Sequence, residues 1–253
     1  MTMKAAFMYG AVTPRPRPLT GAVTSSAVSA PDPPWWDPPG RGEPRTTLTR
    51  DKVVTAALHV LDEVGLQGFT MRRVAQELGT GAATIYWHIA DKEQLLQLVL
   101  DRVIGEIELP EPDSTRWQDQ IREFARAGRA VFRDHPGVAL ASLGRTPVGP
   151  NLVPIMEWFL RVLGEAGVPP RAASWFADLL ALVGAAQAVE DGLSVKTNNR
   201  ALDGLGEYLA QLPADQFPQL TSFAAEMARG DADDRSEFAL ELLIRGLASY
   251  VRQ

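Results

Sequence analysis

From Thr49 onward the apolar positions recur with the period of a helix rather than the two-residue period of a strand. Val53, Val54, Ala57, Leu58, Leu61 and Val64 lie at spacings of one, three and four, which lays one apolar stripe along a helix that Thr49 caps and Gly65 ends. Thr70 caps a shorter second helix with Val74, Ala75 and Leu78 on its inner face, and Gly79 stops it. After only Thr80 and Gly81 a third segment runs through Ile85 and Ile89. Asp91 opens a fourth, with Gln94 forming a capping-box-like pair ahead of Leu95, Leu96, Val99 and Val103. Beyond Pro112 the periodicity predicts helices over 114–134, 151–166, 170–191, 199–212, 215–229 and 234–251, separated by HPG, GVPP, DG and RGDADD. No stretch alternates convincingly and none repeats at a fixed period, so the predicted fold class is all-α.

Residues 1–47 break this pattern. PRPRP at 14–18 and PDPPWWDPPG at 31–40 exclude helix and ladder, so a disordered or polyproline arm is expected, with Trp35 and Trp36 docked on the protein's own surface or carried in a tail. Lys4 before the apolar run Ala5–Val12 and AVSA ending at Ala30 resemble parts of an export signal, but Pro14 and Arg15 interrupt the run, so a cytoplasmic chain is expected. Read along the sequence, no apolar run approaches the roughly 18 residues of a membrane span, so a soluble protein with no membrane partner is expected. The 253 residues, 45% of them hydrophobic, suffice for a small domain joined to a larger one. The chain has no cysteine, which removes disulfides, thiolate metal sites and a thiol nucleophile.

Charge sharpens the division. Residues 1–40 carry three bases and two acids, residues 41–102 eight of each, and residues 103–253 carry 14 bases and 21 acids. An acidic body repels DNA, so contact with a duplex has to come from a local patch in the first hundred residues. Such a patch is present. Ala75, Gly79 and Ile85, at spacings of four and six, supply the small contact residue, the turn and the anchor that a helix-turn-helix requires. With Val74, Leu78, Ile85 and Ile89 buried, the same elements turn Thr84, Tyr86, Trp87 and His88 toward other faces.

The stretch VVTAALHVLDEVGLQGFTMRRVAQELGTGAATIYWHIADKEQLLQL, Val53 to Leu98, resembles the DNA-binding domain of the TetR family of transcriptional repressors, and LGTGAATIYWHIADKEQLL is especially similar to the tetracycline repressor branch. The resemblance implies a homodimeric repressor with a disordered arm over 1–47, a three-helix DNA-binding domain over 48–95 whose fourth helix links onward from Lys92, and a ligand-binding and dimerisation domain over 96–253. It implies that Thr70 caps its helix and bonds a phosphate, that Arg72 reads a guanine edge, and that Thr84 and Tyr86 meet backbone and base methyl groups. It implies too that Trp87 and His88 grip the sugar-phosphate, that Lys92 neutralises a phosphate, and that Arg50, with Arg45 and Arg41 behind it, extends along the duplex. Packing between helices is the competing role for Trp87. Met71 stands where the branch tends to have threonine, and Ala82 and Ala83 where it has Gln-Pro; these reading positions predict an altered operator, at roughly 1–3 kcal/mol per base pair.

For the remaining helices the resemblance implies a small-molecule effector and a two-fold dimer. In the last predicted helix Glu237, Glu241, Arg245, Ser249 and Arg252 form one narrow polar stripe amid apolar residues, and Gly184, Ala185, Ala186 and Ala188 permit close approach in the 170–191 helix. Pairing of these two helices with their copies is expected, which sets two reading helices roughly 34–36 Å apart on a palindromic operator. Candidate effector-binding residues are Trp117, Phe132, Met156, Trp158, Phe159, Trp175, Phe176 and Gln187, with plain core packing as the alternative for each. Ala139 stands where tetracycline repressors place a metal-binding histidine, leaving Glu190 as a lone carboxylate, so no metal and no cofactor is expected and an apolar or aromatic effector fits better than magnesium-tetracycline. A regulator without a ligand switch, or an activator, remains open. An α-helical enzyme would need groups the chain does not offer: it has three isolated histidines and no Gly-x-Ser-x-Gly or glycine-lysine phosphate loop, and a pure scaffold would leave Arg72, Tyr86 and Lys92 without purpose.

Overall fold

The computed structural model describes residues 48–145, 147–194, 204–227 and 229–251, so the predicted N-terminal arm with Arg41, Arg45 and both of its tryptophans lies outside the described residues. The chain is all-α, with no strand among the described residues. The reading end comprises α1 (Arg50–Gly68), α2 (Met71–Glu77), α3 (Ala82–Ile85) and α4 (Lys92–Ile104). Thr49, Thr70 and Asp91 each cap as the sequence predicts: their side-chain oxygens accept from the amides of Lys52, Arg73 and Gln94. Gln94 completes the pair by accepting from the amide of Ala90, one residue before the cap. Gly65, at φ 66°, breaks α1 where the apolar stripe ends. Between α2 and α3, Gly79 takes φ 63° while Thr80 N–H bonds the Ala75 carbonyl at 2.9 Å, a Schellman turn that closes α2 and sends the chain into α3.

The larger end comprises α5 (Trp117–Asp134), α6 (Pro136–Ser142), α7 (Leu152–Glu165), α8 (Pro170–Ser194), α9 (Leu205–Ala210), α10 (Pro218–Met227) and α11 (Ala232–Ala248). The predicted 199–212 helix is shorter as described, and its first residues lie outside the described residues. The sequence reading passes over α6, because HPG reads as a terminator; Pro136 instead occupies the first turn of a new helix, where its missing N–H costs nothing. This short helix touches α1, α4, α5 and α8, and its Gly137 approaches the Leu61 carbonyl so closely that a Cβ there would collide with it. One hydrophobic core runs through both ends of the molecule. The expectation that no apolar stretch reaches membrane-spanning length needs amending: Pro170–Gly192 in α8 does, with mean hydropathy 1.5. It packs on α5, α6, α7 and α11 as a core helix does.

Charges join α5 to α11. Arg122 bonds Glu241 at 2.5 Å, Arg126 bonds Glu237 at 2.7 Å, and Arg129 and Arg133 share Asp233 at 2.7 and 2.9 Å. Arg129, with no exposed side-chain surface, also grips Asp191 of α8 at 2.7 and 2.9 Å. Burial opposes its charge, but the two carboxylates outweigh burial and hold its pKa above the usual arginine value. The polar stripe of α11 therefore faces inward over Glu237 and Glu241, while Phe238 (67% exposed), Leu242 and Tyr250 face out. On α8 the outward residues are Trp175, Leu179, Leu182 and Ala186, at spacings of four, three and four. Gly184, Ala185 and Ala188 are buried within the chain, so three of the four small residues serve packing inside the protomer rather than its outer face.

Candidate nucleic-acid interface

The turn at Gly79 joins α2 to α3, and the two short helices pack on each other. On α2, Arg72, Arg73 and Gln76 are exposed, and neither arginine forms an ion pair among the described residues. On α3 and the turn after it, Ile85 and Ile89 are buried while Tyr86 is 52% exposed and Trp87 81%. The interhelical packing considered for Trp87 is thus not what the fold adopts: its indole stands in solvent. An apolar ring of that size left outside, on the same helix-turn-helix as an exposed phenol and two exposed guanidiniums, is suited to lie along a charged and stacked partner. Ala83 is exposed, and Ala82 and Thr84 are half-buried. His88 is half-buried with Nε2 shielded from solvent and without a hydrogen-bond partner.

Three expected contacts are held differently. Met71 is only 8% exposed and belongs to the core, because the first position of α2 points its side chain back onto the bundle; it is corrected from reading residue to packing residue. Arg50 is half-buried in a cleft with Val54, Leu98, Asp101 and Asn151, between α1, α4 and the start of α7. Lys92 donates to the Phe69 carbonyl at 2.8 Å and lies 5.3 Å from the Phe69 ring centre, so the ammonium ties the start of α4 to the α1–α2 junction and keeps two donors for a further acceptor. Thr70 uses its hydroxyl oxygen on the Arg73 amide and remains exposed. Sequence reasoning missed Arg73 and Gln76; polar positions 72, 73 and 76 on a helix whose 74 and 75 are buried were the available signal.

Of the candidate effector residues, Trp117, Phe132, Trp158, Phe159 and Phe176 are buried, Met156 and Gln187 are half-buried, and Trp175 stands 61% exposed on the outer face of α8. Three of the buried rings form a cluster of mixed geometry with Phe124, which the sequence reading did not single out: Phe124 stacks on Trp158 at 5.4 Å and meets Phe159 edge-on at 5.9 Å, and Phe159 stacks on Phe176 at 6.0 Å. Trp158 donates to the Pro110 carbonyl at 2.7 Å, and Gln187 accepts from Ser236 at 2.5 Å. Ala139 is buried, and Glu190 is exposed and turned to Arg235 at 3.5 Å.

An all-helical protein with this turn and this outward face is a helix-turn-helix regulator in architecture. Residues 53–99 match the family model of bacterial regulatory proteins, tetR family, and residues 109–251 match that of the tetracyclin repressor-like C-terminal domain. The second match covers more than half of the 253 residues, and the chain belongs to the TetR family. A helix-turn-helix transcriptional regulator of Saccharopolyspora erythraea is 36% identical over 144 residues, 57% of this chain and 61% of the relative. The repressor DrrR1 of Streptomyces coeruleorubidus is 39% identical over 137 residues, 53% of this chain. The match spans 50% of the DrrR1 chain, so this protein aligns with about half the length of these curated relatives. Among solved structures, Streptomyces coelicolor ActR in complex with actinorhodin has 38% identity and a TM-score of 0.76, with 82% of this chain and 99% of ActR covered.

Proposed function

We propose that the protein is a cytoplasmic, homodimeric repressor that binds a palindromic operator and is released by a small aromatic effector. The observation that carries the reading is that one helix-turn-helix leaves Trp87 and Tyr86 in solvent together with Arg72 and Arg73, which form no ion pair among the described residues. Cations and rings on one helix-turn-helix face match the phosphate and base edges of a major groove, whereas the acidic remainder of the chain does not. The role of Arg72 at a base edge, of Thr70, Tyr86, Trp87 and Lys92 at the backbone, and of Thr84, Ala82, Ala83 and His88 in contact range belongs to this proposal. Pairing is supported by the outward apolar rows of α8 and α11, and between them runs a groove of about 620 Å3 lined by Trp175, Leu179, Leu242 and Tyr250. Rows of this kind, left in water, are the usual mark of an interface. An aromatic effector is supported by the cluster of rings with Phe124 and by the ActR complex with actinorhodin.

The test is fluorescence anisotropy with a labelled duplex from upstream of the protein's own gene. Binding should be salt-dependent, Trp87→Ala should weaken it, and an aromatic effector should lower operator affinity while raising the melting temperature. Absence of binding to any such duplex in dilute salt would overturn the reading.

A further inference from the structure

Helix α6 is fastened to the reading end at both of its ends. After its C-terminus, Arg145 grips Glu93 of α4 through two bonds, 2.6 and 2.9 Å, and Arg145 holds the Glu93 carboxyl below the usual carboxylate range. Before its N-terminus, the His135 ring lies between two carboxylates of the reading end: Nδ1 is 2.8 Å from Asp62 of α1, and Nε2 is 3.4 Å from Glu106, just past α4. Between these points Gly137 leaves no gap against the Leu61 carbonyl, the residue beside Asp62. A shift of α6 is therefore felt by α1 directly.

The two fastenings differ chemically. A neutral imidazole has one N–H, so with a carboxylate at each nitrogen one anion must face a lone pair; only the protonated ring donates to both. The neighbouring elements bring other charges. α6 carries none of its own, Arg133 of α5 and Asp191 of α8 are paired within the α5–α11 network, and Asp134 of α5 is exposed. We propose that His135 is a positioning residue for the reading head, a proton-operated pin that ties α6 to both α1 and the end of α4 when charged and gives up one of its two carboxylates when neutral.

The bond to Asp62 outweighs burial and, with Glu106, raises the pKa of His135 above its ordinary 6.5. Stability from the pin is thus whole below pH 6.5 and lost as pH rises through the raised value. The pin stands on contacts within the chain, whereas its effect on DNA rests on the proposed function, so the two are measured separately. Melting temperatures of the full chain are compared at pH 6.0 and 8.5 for wild type, His135→Gln and Asp62→Asn, with His59→Gln as a control for the surface imidazole bonded to Glu77. Wild type should exceed His135→Gln and Asp62→Asn by a few degrees more at pH 6.0 than at pH 8.5, and His59→Gln should keep that excess. Parallel pH profiles for wild type and both pin variants overturn the pin, and Asp62→Asn decides the matter if His135→Gln fails to fold. Anisotropy on the operator then tests positioning: the ratio of Kd at the two pH values should differ between wild type and His135→Gln by a factor of roughly five, the low end of ordinary coupling between sites. Equal ratios with a working pin overturn the positioning role alone, and no binding at any pH overturns the repressor reading while leaving the pin to the melting data.

Discussion

Arg72 and Lys92 are both cations of the candidate reading face, but one reaches outward without a partner among the described residues and the other is anchored to Phe69. Arg72→Ala should relax discrimination at one base pair, by roughly 1–3 kcal/mol, and leave the melting temperature unchanged. Lys92→Ala should weaken all duplexes alike, lower the salt slope by about one, and also lower the melting temperature, since the Phe69 carbonyl loses its donor. Anisotropy titrations on matched and mismatched duplexes at several salt concentrations, with parallel thermal scans, separate the two patterns. Gly137 is a third informative residue. Gly137→Ala places a methyl group on the Leu61 carbonyl and should destabilise the chain by about 1–3 kcal/mol in urea unfolding.

At the scale of elements, the α5–α11 network contains both buried and exposed pairs, and their contributions should differ sharply. Arg129→Met leaves the buried Asp191 carboxylate only its 3.5 Å contact with Arg133 and should cost about 3–5 kcal/mol, whereas Arg126→Ala removes a pair that is a third to a half exposed and should cost under about 1 kcal/mol in the same urea measurement. These elements also mark how much could be read from sequence. Local rules found the starts of α1, α2 and α4, because Thr49, Thr70, Asp91, Gly65 and Gly79 are signals acting within a few residues, but the third segment, expected to run through Ile89, ends as a helix at Ile85. α6 escaped because Pro136 both ends and begins a helix in sequence terms, and only the position of α1 and α8 against it makes the beginning evident. The stripe on α11 was visible, but its direction was not: Glu237 and Glu241 find arginines 111 and 119 residues away, beyond the reach of periodicity. The burial of Met71 was out of reach likewise, and so was the choice between an exposed and a packed Trp87, since both follow from tertiary packing.

Over the whole molecule, the outward rows of Trp175, Leu179 and Leu182 on α8 and Phe238 and Leu242 on α11 lie far in sequence from the reading face yet are proposed to set its geometry. A charge at Leu182 or Leu242, as in Leu182→Glu or Leu242→Arg, should give a folded monomer by sedimentation equilibrium and reduce operator affinity by more than tenfold, because a single head contacts one half-site. Wild-type oligomeric state persisting in both variants would place the interface elsewhere.

The orientation of α11 has one last consequence. Its ionic row and its apolar row lie about 100° apart around the helix, so a change in one need not touch the other. In the proposed dimer, a lineage could retune self-recognition through Phe238 and Leu242 without weakening the fastening that Glu237 and Glu241 provide. Sister proteins arising by gene duplication would then be free to stop exchanging subunits before their folds diverge.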